Sequence, residues 1–210
     1  ALGDLSTQEC REILRSFFQF AQEEGRGASV ELSGGNPLLR EDFPEFLASL
    51  GEQRRDGVVD HIRILANPET MDEAMVDKFA EANVDAVYIS LDGLEETNDA
   101  MRGPGSFRAG VDAIRALSRA GLSPRVKFTL LRDNADQLVE VMKLALDEGV
   151  RFLGVGSLIR AGGGYRMREH ALTPADYREL LLKLLLFLDA IAETHEEFRA
   201  TFIRFMGLFA

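Results

Sequence analysis

Apolar residues along the chain follow two alternating rhythms. Ile13, Leu14, Phe17, Phe18 and Ala21 recur at the three- and four-residue spacing that lines up one apolar face of an α-helix. Ser6 stands three residues before Glu9, the capping-box arrangement, so the helix is predicted to start near Leu5 and to run to about Glu24. Ala28 to Leu32 then reads as a short strand, ended by Ser33-Gly34-Gly35-Asn36-Pro37. The glycines of that segment permit backbone geometry closed to other residues and its proline stops the strand, which predicts a tight turn with exposed amides.

The alternation repeats. The spacing predicts helices over 43–50, 71–82, 107–120 and 135–148, the last two ending at Gly121 and Gly149. Between them, β-branched and aromatic residues predict strands over 61–66, 86–91, 126–131 and 152–157. Strands return roughly every 30 residues, the length of a βαβ unit. Such alternation demands a parallel sheet with right-handed crossovers, either doubly wound or closed toward a barrel, and periodicity does not choose between them. In both, ligands gather where strands end, so the residues after each strand carry the candidate chemistry. Beyond Ala161 the pattern changes: Gly162-Gly163-Gly164 reads as a flexible connection, Thr173-Pro174 opens a helix continued by 177–192, and a phenylalanine-rich segment follows.

Composition narrows the classes. The 210 residues are 46% hydrophobic and 28% charged, enough apolar material for a sizeable core. The formal charge of −11 with no basic cluster argues against a nucleic-acid partner. The longest apolar run, Leu180 to Ile191, is interrupted by Lys183 and Asp189 and falls short of the ~20 residues that span a bilayer, so no membrane association is expected. Cys10 is the single cysteine, so neither a disulfide framework nor a complete thiolate metal site can come from this chain alone, in keeping with a cytoplasmic location. His61, His170 and His195 are scattered, with no two at metal-ligand spacing.

The strand ends are Leu32-Ser33-Gly34-Gly35-Asn36-Pro37-Leu38-Leu39, Ile89-Ser90-Leu91-Asp92-Gly93, Phe128-Thr129-Leu130-Leu131 and Gly156-Ser157-Leu158-Ile159. Together with Leu94-Glu95-Glu96-Thr97-Asn98-Asp99 and Arg102-Gly103-Pro104-Gly105-Ser106-Phe107, this set resembles the radical S-adenosylmethionine superfamily, in particular its SPASM/twitch-containing branch of peptide and protein maturases. The resemblance covers roughly Leu5 to Arg178. It implies a partial (β/α)6 TIM-like barrel, with strands two to six in this chain and a C-terminal helical extension. The implied domains are the partial barrel over 1–160, a Gly/Arg-rich connection over 161–172, and a helical segment over 173–210 leading to a further C-terminal domain. It further implies S-adenosylmethionine and a 4Fe-4S cluster as cofactors, with room for auxiliary iron–sulfur clusters. The cluster-binding CxxxCxxC loop is expected shortly before Leu5, in line with an opening at Ala1 rather than methionine. The implied partners are a peptide or protein substrate and an electron donor for the cluster.

Residue by residue, the family's Gly-Gly-Glu-Pro turn, which binds the methionine amino group, maps onto Gly34, Gly35, Asn36 and Pro37. Asn36 stands where the acid is expected; its carbonyl can accept from an ammonium but without the charge-assisted part of the bond. Ser90, and behind it Asp92, match the polar strand end that contacts the ribose. Lys127 is placed to meet a carboxylate or substrate anion if it faces the barrel interior, and backbone around Leu158 would flank the adenine.

Each feature also has a plainer reading. The Gly34 to Pro37 segment alone is an ordinary strand-to-helix turn, Asp99, Arg102 and Gly103-Pro104-Gly105 shape a loop, and Cys10 is packing. The 162–164 glycines read as a hinge, and Arg160, Arg166 and Arg168 as contacts for an acidic peptide. Two other functions stand beside the radical enzyme: a degenerate barrel that binds a peptide or partner without radical chemistry, and an unrelated barrel enzyme using phosphate contacts, for which no phosphate-loop pattern exists.

Overall fold

Ser6 caps the first helix as its spacing from Glu9 predicts. In the computed structural model, which describes residues 5–157 and 168–191, the Glu9 N–H donates to Ser6 Oγ at 3.3 Å and the Ser6 N–H donates to the Glu9 carboxylate at 2.8 Å. Helix α1 (Thr7–Glu23) follows. Its apolar face is divided: Phe18 and Ala21 are buried, while Ile13, Phe17 and Phe20 are exposed. Neighbouring residues on a helix point about 100° apart, so the two apolar stripes cannot both lie against one surface.

The chain divides into two compact units. The first holds residues 1–88 with 116–123, and comprises α1, β1 (Ala28–Leu32), α2 (Phe43–Arg55), β2 (Val59–Leu65), α3 (Glu73–Glu81) and the opening of β3 (Ala86–Ser90). β1 and β2 run parallel with a register shift between Ala28 and Ser29, after which Val30 faces Ile62 and Glu31 faces Arg63. β2 and β3 are also parallel, with Ile64 opposite Val87. Because side chains alternate across a strand, Val30, Ile62, Ile64 and Val87 share the buried face, where Phe43, Leu47, Leu50, Val76 and Phe79 from α2 and α3 complete the core. The rings of Phe43 and Phe79 meet edge to face, 6.5 Å between centroids. Glu31 and Arg63 take the opposite face.

The second unit holds residues 89–115 and 124–210, within which lie α4 (Glu95–Arg102), most of α5 (Ser106–Arg119), β4 (Pro124–Leu130), α6 (Leu138–Asp147), β5 (Leu153–Ser157) and α7 (Pro174–Ile191). β4 alternates buried Val126, Phe128 and Leu130 with half-buried Arg125, Lys127 and Thr129, and pairs in parallel with β5 from Val126–Leu153 to Leu130–Ser157. Arg115 on α5 grips Glu148 after α6 with bonds of 2.8 and 2.5 Å.

The five parallel strands follow the order β1-β2-β3-β4-β5. Each strand is added beside its predecessor without reversal, which excludes the doubly wound alternative and makes the fold an α/β partial barrel of the TIM type. Predicted and observed elements agree in kind, with two differences. Helix α4 was not predicted, and the helix expected over 135–148 begins as a single 3-10 turn, Ala135–Gln137. Leu158, Arg160, Gly162 to Gly164, Arg166, His195 and the phenylalanine-rich C-terminal segment lie outside the described residues.

In the first unit, Asp85 ties the strand entrances together. Arg54 grips it with two parallel bonds of 2.7 and 2.8 Å, and the Ile62 N–H donates to it at 2.7 Å. Burial opposes the charged form, but the bonds from Ile62, Arg54 and His61 outweigh it and hold the carboxyl below its ordinary range. A depressed folded-state value means stability that is present above about pH 4 and lost as pH falls through the folded-state value. Asp85→Asn is therefore expected to cost roughly 1–3 kcal/mol at pH 7 and to flatten the loss of stability below about pH 4, measured by urea denaturation across pH.

Candidate functional site

The turn after β1 is an open cradle of backbone. Gly34 has φ of +148°, a conformation that strains any other residue, and a Cβ placed on Gly34 or Gly35 would meet no atom within 4 Å. The segment lines a cavity of about 720 Å³ together with Glu31, Leu32, Arg40, Phe43 and Phe46. A volume of this size suits a small-molecule ligand.

Asn36 does not present its carbonyl freely to that cavity. Its Oδ1 accepts from the backbone N–H groups of Leu38 and Asn67, each at 3.3 Å, and its amide donates to Thr70 Oγ1 at 2.7 Å. Asn36 thereby caps the 3-10 turn Pro37–Leu39 and staples it to the turn after β2, Pro68–Thr70, which Asn67 caps in the same way. Expected as an acceptor for a ligand ammonium, the side chain is already engaged twice by the protein. The sequence held a signal for this arrangement: Asn-Pro recurs at positions 67 and 68, directly after the next strand. Arg40, the cation of the same cavity, is committed to Asp42 through bonds of 2.9 and 2.8 Å and to the Leu5 carbonyl at 3.0 Å. Bonds from Arg40 and Thr7 hold the Asp42 carboxyl at about 2.

In the second unit, the strand end at Ser90 is held by a buried polar network. Asp92 is 2% exposed, and both of its carboxylate oxygens are used: Oδ1 accepts from the Thr129 N–H at 2.5 Å, and Oδ2 accepts from Arg102 Nε at 2.7 Å. The Asp92 N–H donates to Asn98 Oδ1 at 2.8 Å, and Asn98 donates to Ser106 Oγ at 2.9 Å. Asn134 donates to the Asp92 and Thr129 carbonyls at 2.8 and 2.9 Å, while its own Oδ1 accepts from the Leu131 N–H. Gly93 belongs here for want of space, because a Cβ would come within 2.8 Å of Thr97 and 2.9 Å of Gln137. Asp99 accepts from the N–H groups of Gly105 and Phe107, which hold its carboxyl below the ordinary range and fix the turn into α5.

Of the residues predicted to bind a cofactor, Gly34, Gly35, Asn36 and Pro37 thus share one cavity wall. Ser90 is half-buried, just ahead of the network that fixes its strand end. Asp92 is part of that network, with both carboxylate oxygens accepting from protein donors. Lys127 lies on the face of β4 opposite Val126 and Phe128. Leu158 lies outside the described residues. Sequence reading did not foresee Asn134, Gln137 or the pairing of Arg102 with Asp92. Among the described residues no group of His, Cys, Asp or Glu could hold a metal ion, and none supplies a cluster ligand set.

Comparison with known proteins places these features. The model of the Radical SAM superfamily matches residues 3–145. The chain is 33% identical over 176 residues to the pre-heme d1 synthase of Dinoroseobacter shibae, covering 81% of this chain and 41% of that protein. It is 28% identical to the Fe-coproporphyrin III synthase of Methanosarcina barkeri, covering 93% and 46%, and 34% identical to the mycofactocin maturase MftC of Mycolicibacterium smegmatis, covering 70% and 35%. The chain therefore spans less than half the length of these relatives. Among solved structures, anSMEcpe with bound AdoMet and a peptide superposes with a TM-score of 0.72 at 20% identity, over 90% of this chain and 53% of that one. SuiB of Streptococcus suis with its precursor peptide SuiA gives 0.71 at 16%, over 90% and 40%. Both likenesses concern the fold.

Removing Arg102 leaves a buried carboxylate oxygen without its donor. Arg102→Met is expected to cost roughly 2–4 kcal/mol by urea denaturation, and adding Asp92→Asn to recover part of that loss, because the charge that needed pairing is gone.

Proposed function

Since the chain belongs to the radical SAM superfamily, we propose that the protein it forms cleaves S-adenosylmethionine reductively and uses the resulting radical to modify a peptide or protein side chain. The observation that carries the reading is the open glycine backbone at Gly34-Gly35, at the C-terminal end of a barrel strand and inside the region that the family model matches. Members of this family use S-adenosylmethionine and a 4Fe-4S cluster. A cavity of about 720 Å³ walled by exposed backbone suits the first; for the second, the described residues hold no ligand set.

When bound, the cofactor pair supplies a 5′-deoxyadenosyl radical, which removes a hydrogen atom from the substrate. The work of this chain is to bind, orient and exclude. Backbone groups of Gly34 and Gly35 hold the methionine end without the bulk of side chains. Ser90 is assigned to the ribose, and Asp92 serves by fixing the strand that carries it rather than by contact. Lys127 is assigned to an anionic group, and backbone near Leu158 to the adenine. Beside the substrate, an external electron donor is the partner we assign. No helix among the described residues is long and apolar enough to cross a membrane, and the cytoplasm is the compartment we assign.

The peptide assignment draws on MftC, a maturase, and on neighbours solved with peptides bound. A second reading, with a heme precursor as substrate, is favoured by the names of two other relatives, pre-heme d1 synthase and Fe-coproporphyrin III synthase.

Full-length protein, reconstituted anaerobically with iron and sulfide, is expected to release 5′-deoxyadenosine from S-adenosylmethionine under reducing conditions. Short peptides encoded beside its gene should raise that rate several-fold, and Fe-coproporphyrin III should not. Absence of 5′-deoxyadenosine would sink the radical reading; stimulation by the porphyrin and not by the peptides would overturn the peptide assignment.

A further inference from the structure

A guanidinium taken half out of water needs an anion or an aromatic face to offset the lost hydration. The half-buried arginines among the described residues find one, with a single exception. Arg11 pairs with Glu45, Arg40 with Asp42 and Arg54 with Asp85, while Arg125 lies over the Phe152 ring at 4.9 Å. Arg63 is the exception: it is half-buried on β2 and makes no hydrogen bond, ion pair or ring contact among the described residues.

The strand fixes where this cation points. Ile62 and Ile64, on either side of it, are buried in the core shared with α2 and α3, so Arg63 projects from the other face, which in a barrel is the inner one. It stands two residues before Leu65, the C-terminal end of its strand and the end at which barrel enzymes hold their ligands. Register sets it beside Ala86 of β3, which brings no acceptor side chain, and beside Glu31 of β1, which lines the cavity at the glycine turn and makes no ion pair with it. His61, the next ionisable group down the same face of β2, is bonded to Asp85.

We propose that Arg63 binds the substrate and that the group it takes is a carboxylate, on a peptide the C-terminus or an acidic side chain. This rests on the proposed function and adds a chemical class to its substrate. A guanidinium fork grips a carboxylate through two parallel bonds, which fixes orientation as well as affinity. Orientation is what a hydrogen-atom transfer requires, because the bond attacked is the one held beside the radical. Fe-coproporphyrin III offers the same chemistry through its propionates, so the test carries an arm for each source.

Full-length, cluster-reconstituted protein is titrated anaerobically, with S-adenosylmethionine present, against three probes: a peptide encoded beside its gene, the same peptide amidated at every carboxyl group, and Fe-coproporphyrin III. Affinity for S-adenosylmethionine is measured separately by equilibrium dialysis. Wild-type protein is expected to bind the peptide at least tenfold more tightly than its amidated form. Arg63→Gln is expected to remove that preference, weakening the peptide about tenfold while leaving the amidated form and S-adenosylmethionine within about twofold. Arg63→Lys, which keeps the charge without the fork, falls between, and unchanged melting temperatures confirm intact folding. Undiminished peptide affinity in Arg63→Gln, an equal loss for the peptide and its amidated form, or a matching loss for S-adenosylmethionine overturns the inference. A loss confined to Fe-coproporphyrin III upholds the carboxylate site and overturns the peptide assignment. Wild-type protein that binds neither peptide nor porphyrin overturns the proposed function and the inference with it.

Discussion

A carboxylate taken out of water must find donors for its oxygens or give up its charge, and the end of β3 is organised around that constraint. Asp92 meets it by drawing in Thr129 from β4 and Arg102 from α4. The backbone around it is satisfied in turn by Asn98 and Asn134. Each of these groups would be costly to bury alone; together they leave no unpaired member. The consequence is that the strand end carrying Ser90, the neighbouring strand end at Thr129 and the helix pair α4–α5 share one set of bonds. A ligand group reaching Ser90 would meet a strand end that is already ordered.

The turn after β1 solves a different problem by similar means. Exposed glycine backbone is useful to a ligand only if it holds still, and glycine by itself does not. Asn36 supplies the restraint, with one bond inside its own turn and two that join it to the turn after β2. That use of the side chain is structural.

The likeness to relatives of different names fits a division of labour. Pre-heme d1 synthase, Fe-coproporphyrin III synthase and MftC resemble this chain over most of its length. What the chain shares with them is the cofactor-binding barrel, whereas substrate choice belongs to whatever contacts the substrate.

The local parts of the fold were legible in the sequence. The Ser6–Glu9 cap depends on bonds between residues three positions apart, which leave a mark in spacing, and the strand over Ala28–Leu32 left its mark as an apolar run closed by glycine and proline. Helix α4 left none, because Glu95–Arg102 is polar almost all round and only Asn98 is buried, so no apolar stripe exists to read. The strand order, the face taken by Lys127, the register that sets Glu31 beside Arg63, and the pairings of Asp92 with Arg102 and Thr129 and of Asn36 with Thr70 were decided by tertiary structure. The reason is physical. Periodicity records which side of an element faces apolar surroundings, but which distant polar groups meet depends on strand register, and a shift of one residue would turn Glu31 and its neighbours to the opposite face.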